Sequence, residues 1–341
     1  MRSWTSAVVL AAAMGVGMAT APALAATHEV STGARTLEVV DLGTLPGAVS
    51  SEALGINDRG WVVGWSDVGD AVSRAFLWRD GRMTDLGSLG GAGGSSVAHG
   101  INRRGDIVGS SSAPEGSRAV LWRDGRMVDL GTLGGSIGVA TGINDRDEIV
   151  GYSTTSTEEY HAFLWRGGRM TDLGTVAGQT FSQANAVNTH GLVVGESGGP
   201  VVWRHGTPHP LPSLPGAEFG SALGTNDHGD VVGYLGYPSG RTVNRAVIWR
   251  NGRPVDLGFE DGVSQAFDVN DRGQIIGWRE LVPMESWAPF LWDRGAVTNL
   301  PSLTGTGTGG VATAINNRGE IVGRSPVPDD AFGHGHAVLW R

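Results

Sequence analysis

Apolar positions recur along this chain in short, strand-length stretches. One kind mixes small and β-branched residues, as in Ala53 to Asn57, and is followed by an apolar pair such as Val62-Val63. Another runs Ala75-Phe76-Leu77-Trp78, and a fourth stretch extends from Met83 to Leu86. Runs of this length, bounded by Gly, Asn and Asp, predict strands. No helical period competes after the N-terminal leader. The punctuation has a mechanism. In Asn57-Asp58-Arg59-Gly60, Asn opens the turn and Gly falls where the chain needs positive φ, as in a type I turn with a G1 bulge. The same reading extends to Arg79-Asp80-Gly81. One copy of the first turn has Asp147 in place of Gly, a residue that tolerates this conformation better than most.

These stretches repeat. The phrase Ile-Asn-x-x-Gly, an apolar pair and Gly ends at Gly64, Gly109, Gly151, Gly195, Gly233, Gly277 and Gly323. A second phrase ends in Trp78, Trp122, Trp165, Trp203, Trp249, Trp292 and Trp340. A third reads Asp-Leu-Gly at Asp41, Asp85, Asp129, Asp172 and Asp256, with degenerate copies at Pro210-Leu211-Pro212 and Asn299-Leu300-Pro301. An Ala precedes the Ile position by three residues at Ala53, Ala98, Ala140, Ala184, Ala222, Ala266 and Ala312. Seven copies over residues 36–341 give a period of about 44 residues.

Four strands per unit at this period predict an all-β fold, a seven-bladed β-propeller of four-stranded antiparallel blades. The chain opens on a lone fourth strand, Thr36 to Gly43, and closes on a lone third strand, His336 to Trp340. The N-terminal strand is therefore expected to complete the last blade and close the ring. An open solenoid would need polar caps at both ends, which are absent from the sequence. Pro208, Pro210, Pro212, Pro254 and Pro301 fall in the fourth strand, and Pro is tolerated at sheet edges. That puts the Asp-Leu-Gly strand outermost and the Ala-x-Gly-Ile-Asn strand innermost. The variable loops between second and third strands then share one face with the crossovers between units. The tight Asn and Asp-Gly turns take the other face.

The hydrophobic fraction is 40%, enough to bury a core, and Gly accounts for 56 of 341 residues. The net charge of −9 disfavours nucleic-acid binding, which needs a cationic surface. Absence of Cys excludes disulfides, thiolate zinc sites and a cysteine nucleophile. Residues 1–25 read as a secretory signal peptide, with Arg2, an apolar run from Ala7 to Met18, and the cleavage site Ala23-Leu24-Ala25. The alternative, a membrane anchor, would need a longer apolar run. A short segment, 26–35, precedes the repeats of 36–341. The expectation is a secreted, extracellular monomer with no membrane span after signal removal.

The phrases His161-Ala162-Phe163-Leu164-Trp165, Thr171-Asp172-Leu173-Gly174-Thr175 and Ile56-Asn57 with Val62-Val63-Gly64 resemble the HAF-repeat family of predicted extracellular repeat proteins. The resemblance covers essentially all of residues 36–341. Most copies depart from the naming motif, with Arg74, Arg118 or Arg245 in place of His and Val120, Val247 or Val338 in place of Phe. The resemblance implies secretion and a repeat scaffold, and no catalytic residues.

The chemistry of the repeated residues reads as structural. One Trp at a fixed place in each blade packs on its neighbour, where burying an aromatic of roughly 150–250 Å² is worth several kcal/mol gross. The seven Asn residues (Asn57, Asn102, Asn144, Asn188, Asn226, Asn270 and Asn316) close turns through their own side chains. The Asp of each Asp-Leu-Gly bonds to its turn or to an Arg. The Arg after six of the seven Trp residues (Arg79, Arg123, Arg166, Arg204, Arg250 and Arg341) is a rim residue, and Asp293 breaks the series, which speaks against one shared function.

Residues outside the repeat pattern are the better functional candidates. The variable loops supply Asp67, Asp70, Glu115, Glu158, Glu159, Tyr160, Tyr237, Glu285, Trp287, Asp329, Asp330, His334 and His336. Acidic residues with Tyr and Trp on one face suit a sugar or a cation. His334-Gly335-His336 is too short for a metal site. Nucleophile-elbow, zincin, EF-hand and P-loop motifs are absent. No cofactor is expected, and calcium in the central channel is left open with no motif in its favour. The composite reading is a secreted binding or interaction module for an extracellular polysaccharide, a cell-wall component or a secreted protein. Two alternatives stand beside it: a propeller hydrolase or lyase acting through carboxylate, Tyr or His groups, and a purely structural surface protein.

Overall fold

The computed structural model describes residues 37–69, 71–239, 241–259, 262–328 and 334–341. Strand β1 (Val39–Gly43) is followed by a first group, β2 (Ser50–Ile56), β3 (Val62–Asp67), β4 (Ser73–Arg79) and β5 (Arg82–Asp85). The second group is β6 (Ser96–Ile101), β7 (Ile107–Ala113), β8 (Gly116–Arg123) and β9 (Arg126–Asp129). The third is β10 (Gly134–Ile143), β11 (Ile149–Thr155), β12 (Tyr160–Arg166) and β13 (Arg169–Asp172). The fourth is β14 (Gln183–Val187), β15 (Val193–Glu196), β16 (Pro200–Arg204) and β17 (Thr207–Pro210). The fifth is β18 (Phe219–Thr225), β19 (Val231–Ser239), β20 (Arg241–Arg250) and β21 (Arg253–Asp256). The sixth is β22 (Ser264–Val269), β23 (Ile275–Val282), β24 (Ser286–Asp293) and β25 (Ala296–Asn299), and the chain ends with β26 (Val311–Ile315), β27 (Ile321–Pro326) and β28 (Gly335–Trp340).

Each group is an antiparallel meander. The second and third are joined by one parallel contact, Ile137 beside Ser117, into an eight-stranded sheet. Strand β1 does not join its sequence neighbours. It lies at the edge of β26-β27-β28, with Val39 opposite Trp340. The first strands of successive groups touch one another, and β2 also touches β26. The Asp-Leu-Gly strands take the opposite edge of each sheet, where the prolines of β17 and β21 cost little.

Local rules explain the repeated phrases. In the first hairpin the N–H of Gly60 donates to the carbonyl of Asn57 at 2.9 Å, and Gly60 has φ of 78°. Asp147 adopts φ of 64° in the equivalent place. The outer hairpins differ from the expected bulged turn. Asp80 and Gly81 both have positive φ, 54° and 78°, as do Asp124 and Gly125. That is a two-residue type I′ turn, whose twist matches the flanking strands. The Gly ending the first phrase is fixed by close approach: a Cβ on Gly64 would lie 1.9 Å from the carbonyl oxygen of Glu52.

The core lies in the seams between groups. Val150, Ala162 and Leu173 pack with Ala184, Val193, Val201 and Trp203 of the next group. Trp203 is buried, and its indole N–H donates to the carbonyl of Leu173 in the preceding group at 3.0 Å. Trp122, Trp249 and Trp340 do the same toward Leu86, Pro212 and Pro301. Trp78, Trp165 and Trp292 are half-buried against the same kind of seam.

The His or Arg that precedes the third-strand Ala also has a partner. His161 Nδ1 lies 2.8 Å from Asp172 Oδ2 and His336 Nδ1 lies 2.9 Å from Asp41 Oδ2, while Arg245 reaches Asp256 at 3.3 Å. A donor facing the Asp-Leu-Gly carboxyl is what these three positions share, whereas Arg74 turns to the carbonyls of Gly91 and Ala92. The Arg after Trp does more than line a rim: Arg123 holds Asp106 at 2.7 Å and Asp147 at 2.6 Å.

Candidate functional site at the axis

Side chains of the inner strands converge on one axis. At the tight-turn end, each turn Asn reaches the next group. The Nδ2 donors of Asn57, Asn102, Asn144, Asn188, Asn226, Asn270 and Asn316 reach the backbone carbonyls of Asn102, Asn144, Asn188, Asn226, Asn270, Asn316 and Asn57 at 2.9–3.4 Å. The Oδ1 atoms hold their own turns, as Asn57 does for the N–H groups of Arg59 and Trp61. The next residue in each turn forms an outer tier. Asp145, Asp227, Asp271, Asn317 and Asp58 accept N–H bonds from Arg103, Thr189, Asp227, Asp271 and Asn317. The turns surround a cup of about 220 Å³ with an aliphatic floor that includes Ile56, Ile101 and Ile143.

Asp268 lies in this cup. It occupies the inner-strand bulge where the other groups have Gly or Ala. Burial pushes its carboxyl up to about 7, although the N–H groups of Ile315 and Val269 donate to it at 3.0 and 2.8 Å. Farther along the axis, burial pushes His99 down to about 4, leaving a neutral ring at pH 7.

Toward the variable loops, the side chains stop repeating. The residue after the phrase-ending Gly is Trp65, Ser110, Tyr152, Glu196, Tyr234, Trp278 and Arg324 in successive groups, every one half-buried. Each sits opposite the residue before the inner-strand Ala: Glu52 faces Trp65, Gln183 faces Glu196, Ser221 faces Tyr234 and Gln265 faces Trp278. Neighbouring groups interact here. Glu196 is hydrogen-bonded to Ser221 of the next group, yet burial raises its carboxyl. Burial, then the nearby Glu196 charge, pushes Tyr234 up to about 12. Burial pushes Glu52 up to about 7 against the opposing pull of Arg324 and a hydrogen bond from Trp65. Gln265 is buried, and its Oε1 has no hydrogen-bond partner. The result is a belt of aromatic faces, amides, two carboxyls whose hold on a proton burial strengthens, and one guanidinium, chemistry suited to stacking on a pyranose and bonding its hydroxyls.

The sequence reading singled out the loops and passed over this belt. Its signal was present: these columns vary inside phrases that otherwise repeat. The loop residues stay mostly local. Asp67 accepts the Gly69 N–H at 3.0 Å, and Glu158 accepts from Ser136 at 3.2 Å. Glu159 accepts from Thr157, while Glu285 closes its own hairpin turn through its N–H. Trp287 is exposed, and its carbonyl accepts the Gly309 N–H. His334 leads into β28. Tyr160 does approach the belt, its ring centroid 6.0 Å from that of Tyr152. Tyr237 lines a separate cavity. Asp70, Asp329 and Asp330 lie outside the described residues. Among the described residues, no group of three or more His, Asp or Glu is placed to hold a metal ion, and no helix is long and apolar enough to cross a membrane.

No family model matches the sequence, and no curated protein matches it. Solved structures do resemble it. A streptogramin B lyase aligns with TM-score 0.52 at 8% identity over 89% of this chain and 97% of its own. The β-propeller domain of the Trilobed protease from Pyrococcus furiosus aligns with TM-score 0.51 at 9% identity over 86% and 94%. An oligogalacturonate lyase from Vibrio parahaemolyticus aligns with TM-score 0.50 at 9% identity over 90% and 97%. At such identities the likeness concerns the fold alone: this chain is an all-β protein built as a β-propeller.

Proposed function

We propose that the chain is a secreted, seven-bladed HAF-repeat propeller that binds an extracellular glycan, either a polysaccharide or a cell-wall component, at the loop end of its axis. The observation that carries this reading is the belt. A scaffold that repeats its inner-strand Ala, turn Asn and close-packed Gly in every group places Trp65, Tyr152, Tyr234 and Trp278 beside Glu52, Gln183, Glu196 and Gln265. Half-exposed aromatics beside amides and carboxyls are what a sugar needs, and a buried acceptor without a donor on Gln265 leaves room for a ligand hydroxyl. Ring closure is supported by the pairing of β1 with β28, and export by the leader at residues 1–25.

A second reading, a propeller hydrolase or lyase, is favoured by Glu52. A carboxyl pushed up to about 7 beside a guanidinium is poised to give a proton at neutral pH. The test is a glycan array and polysaccharide pull-down with the chain from Ala26 onward, followed by product analysis on every glycan retained. Retention without cleavage supports the binding module; cleavage lost in Glu52→Gln supports the enzyme. Absence of retention on any glycan overturns both and leaves a protein partner or a structural role.

A further inference from the structure

The fifth group departs from the repeat at one place. Its second and third strands are nine and ten residues long, against four to eight for those strands elsewhere. The added length carries Tyr237, Pro238 and Val243 past the ordinary edge of the sheet. Together with Glu218, Arg245, Gly216 and Gly262 they enclose a cavity of about 390 Å³. That volume falls within the range of small-ligand sites, roughly 300–1,000 Å³.

The lining is organised. The Arg245 guanidinium lies 5.2 Å from the centroid of the Tyr237 ring, and its Nη1 holds Asp256 at 3.3 Å. Stacking and tethering fix the plane of a group with five N–H donors, most of them still available to a ligand. The backbone N–H of Glu218 donates to the carbonyl of Gly236 at 3.0 Å, which ties this acidic residue to the extended hairpin. Pro238 and Val243 supply an apolar wall, and Gly216 contributes no side chain to fill the space.

We propose that this cavity is a second saccharide subsite, taking one neutral pyranose residue, with Arg245 donating to ring hydroxyls, Glu218 accepting from them, and Val243 and Pro238 facing the sugar C–H edge. The charge balance disfavours an acidic sugar. One guanidinium is set against the carboxyls of Asp256 and Glu218, so an anionic uronate would meet a net negative site. The assignment rests on the glycan reading above only in supposing that the ligand is carbohydrate, and the site is separate from the axial belt.

The experiment is saturation-transfer NMR on the chain from Ala26 onward with methyl glucoside, methyl mannoside, methyl galactoside, glucuronate and glucosamine as probes. At least one neutral pyranoside is expected to bind. In a Trp65→Ala, Trp278→Ala background, which removes aromatic faces of the belt, this binding is expected to persist, and adding Tyr237→Ala or Glu218→Gln is expected to weaken it at least tenfold, with melting temperature near that of the background chain. Binding of glucuronate or glucosamine alone overturns the assignment. So does neutral-sugar binding in that background that survives both cavity variants. If neutral-sugar binding is seen in the parent and lost in that background, the axial glycan reading stands and this one falls. If no saccharide binds anywhere, both fall.

Discussion

The Nδ2 of Asn316 donates to the backbone carbonyl of Asn57 at 3.1 Å, across 259 residues of sequence. The bond joins the last repeat to the first, and its six equivalents join each repeat to the next. One amide does two jobs. Its Oδ1 accepts from two N–H groups of its own turn, and its Nδ2 tethers the neighbouring strand. Asp could do only the first. This accounts for Asn, rather than any other turn-forming residue, at all seven places.

Asn188 isolates the two jobs, because Leu192 follows it where some other copies carry a carboxyl. Its Oδ1 accepts from His190 and Leu192, and its Nδ2 donates to Asn226 at 2.9 Å. Asn188→Ala removes these bonds from a buried site and is expected to cost about 2–4 kcal/mol. Asn188→Ser should cost less, since its hydroxyl can still accept from the turn and the tether alone is lost. Equal losses in denaturant unfolding would refute the division of labour.

Strand β1 offers a test of ring closure. Its Val39, Val40 and Asp41 pair with Trp340, Leu339 and Val338. Deleting residues 37–43 exposes the edge of β28, and unpaired edges recruit other chains. Size-exclusion chromatography should show oligomers or aggregate and a lowered melting temperature. A monomer with unchanged melting would mean that β1 does not close the structure.

The all-β propeller class was legible because its phrases are local chemistry written repeatedly: a turn Asn, a close-packed Gly, a seam Trp. The turn at Asp80-Gly81 was misread as bulged, since Asp-Gly suits both turns and only the strand twist decides. The inter-repeat bond of Asn57 was not legible, because side-chain reach across a seam leaves no trace in spacing. The belt was missed for another reason. Trp65, Tyr152 and Glu196 each follow a repeated Gly inside the repeated phrases, so their variation is confined to single positions, while the loops vary along their whole length. Tyr237 was singled out for its loop, but the cavity beneath it depends on strand length.

The seam Trp residues should differ in weight. Trp203 is fully buried with a bonded indole, whereas Trp165 is half-buried. Trp203→Ala is expected to cost about 3–5 kcal/mol and Trp165→Ala distinctly less. Trp203→Phe should cost about 1 kcal/mol for the lost bond to Leu173, plus a small packing loss. Equilibrium unfolding in urea measures all three, and a Trp203→Ala loss under about 1 kcal/mol would contradict the seam role.

Glu52 sets a pH signature. Its folded carboxyl is pushed up from 4.5 to about 7, so the folded chain holds this proton more tightly than the unfolded one. The stability this contributes is full below about 4.5 and is lost as pH rises through 7. His99, pushed down from 6.5 to about 4, acts oppositely, losing its contribution as pH falls below 6.5. Glu52→Gln removes the first effect and leaves the second. Melting temperatures between pH 5 and 8 should show the variant gaining on the parent as pH rises. Parallel curves would mean that Glu52 titrates normally.

The most direct measurement is a thermal-shift titration of the chain from Ala26 onward with soluble polysaccharides and cell-wall fragments, beside Trp65→Ala and Trp278→Ala. A bound glycan at about 100 times its dissociation constant should add roughly 2.7 kcal/mol of stability. The expected result is such a shift in the parent and its loss in both variants. A parent that melts identically with every glycan, or a shift that both variants retain, would contradict a glycan site at the loop end of the axis.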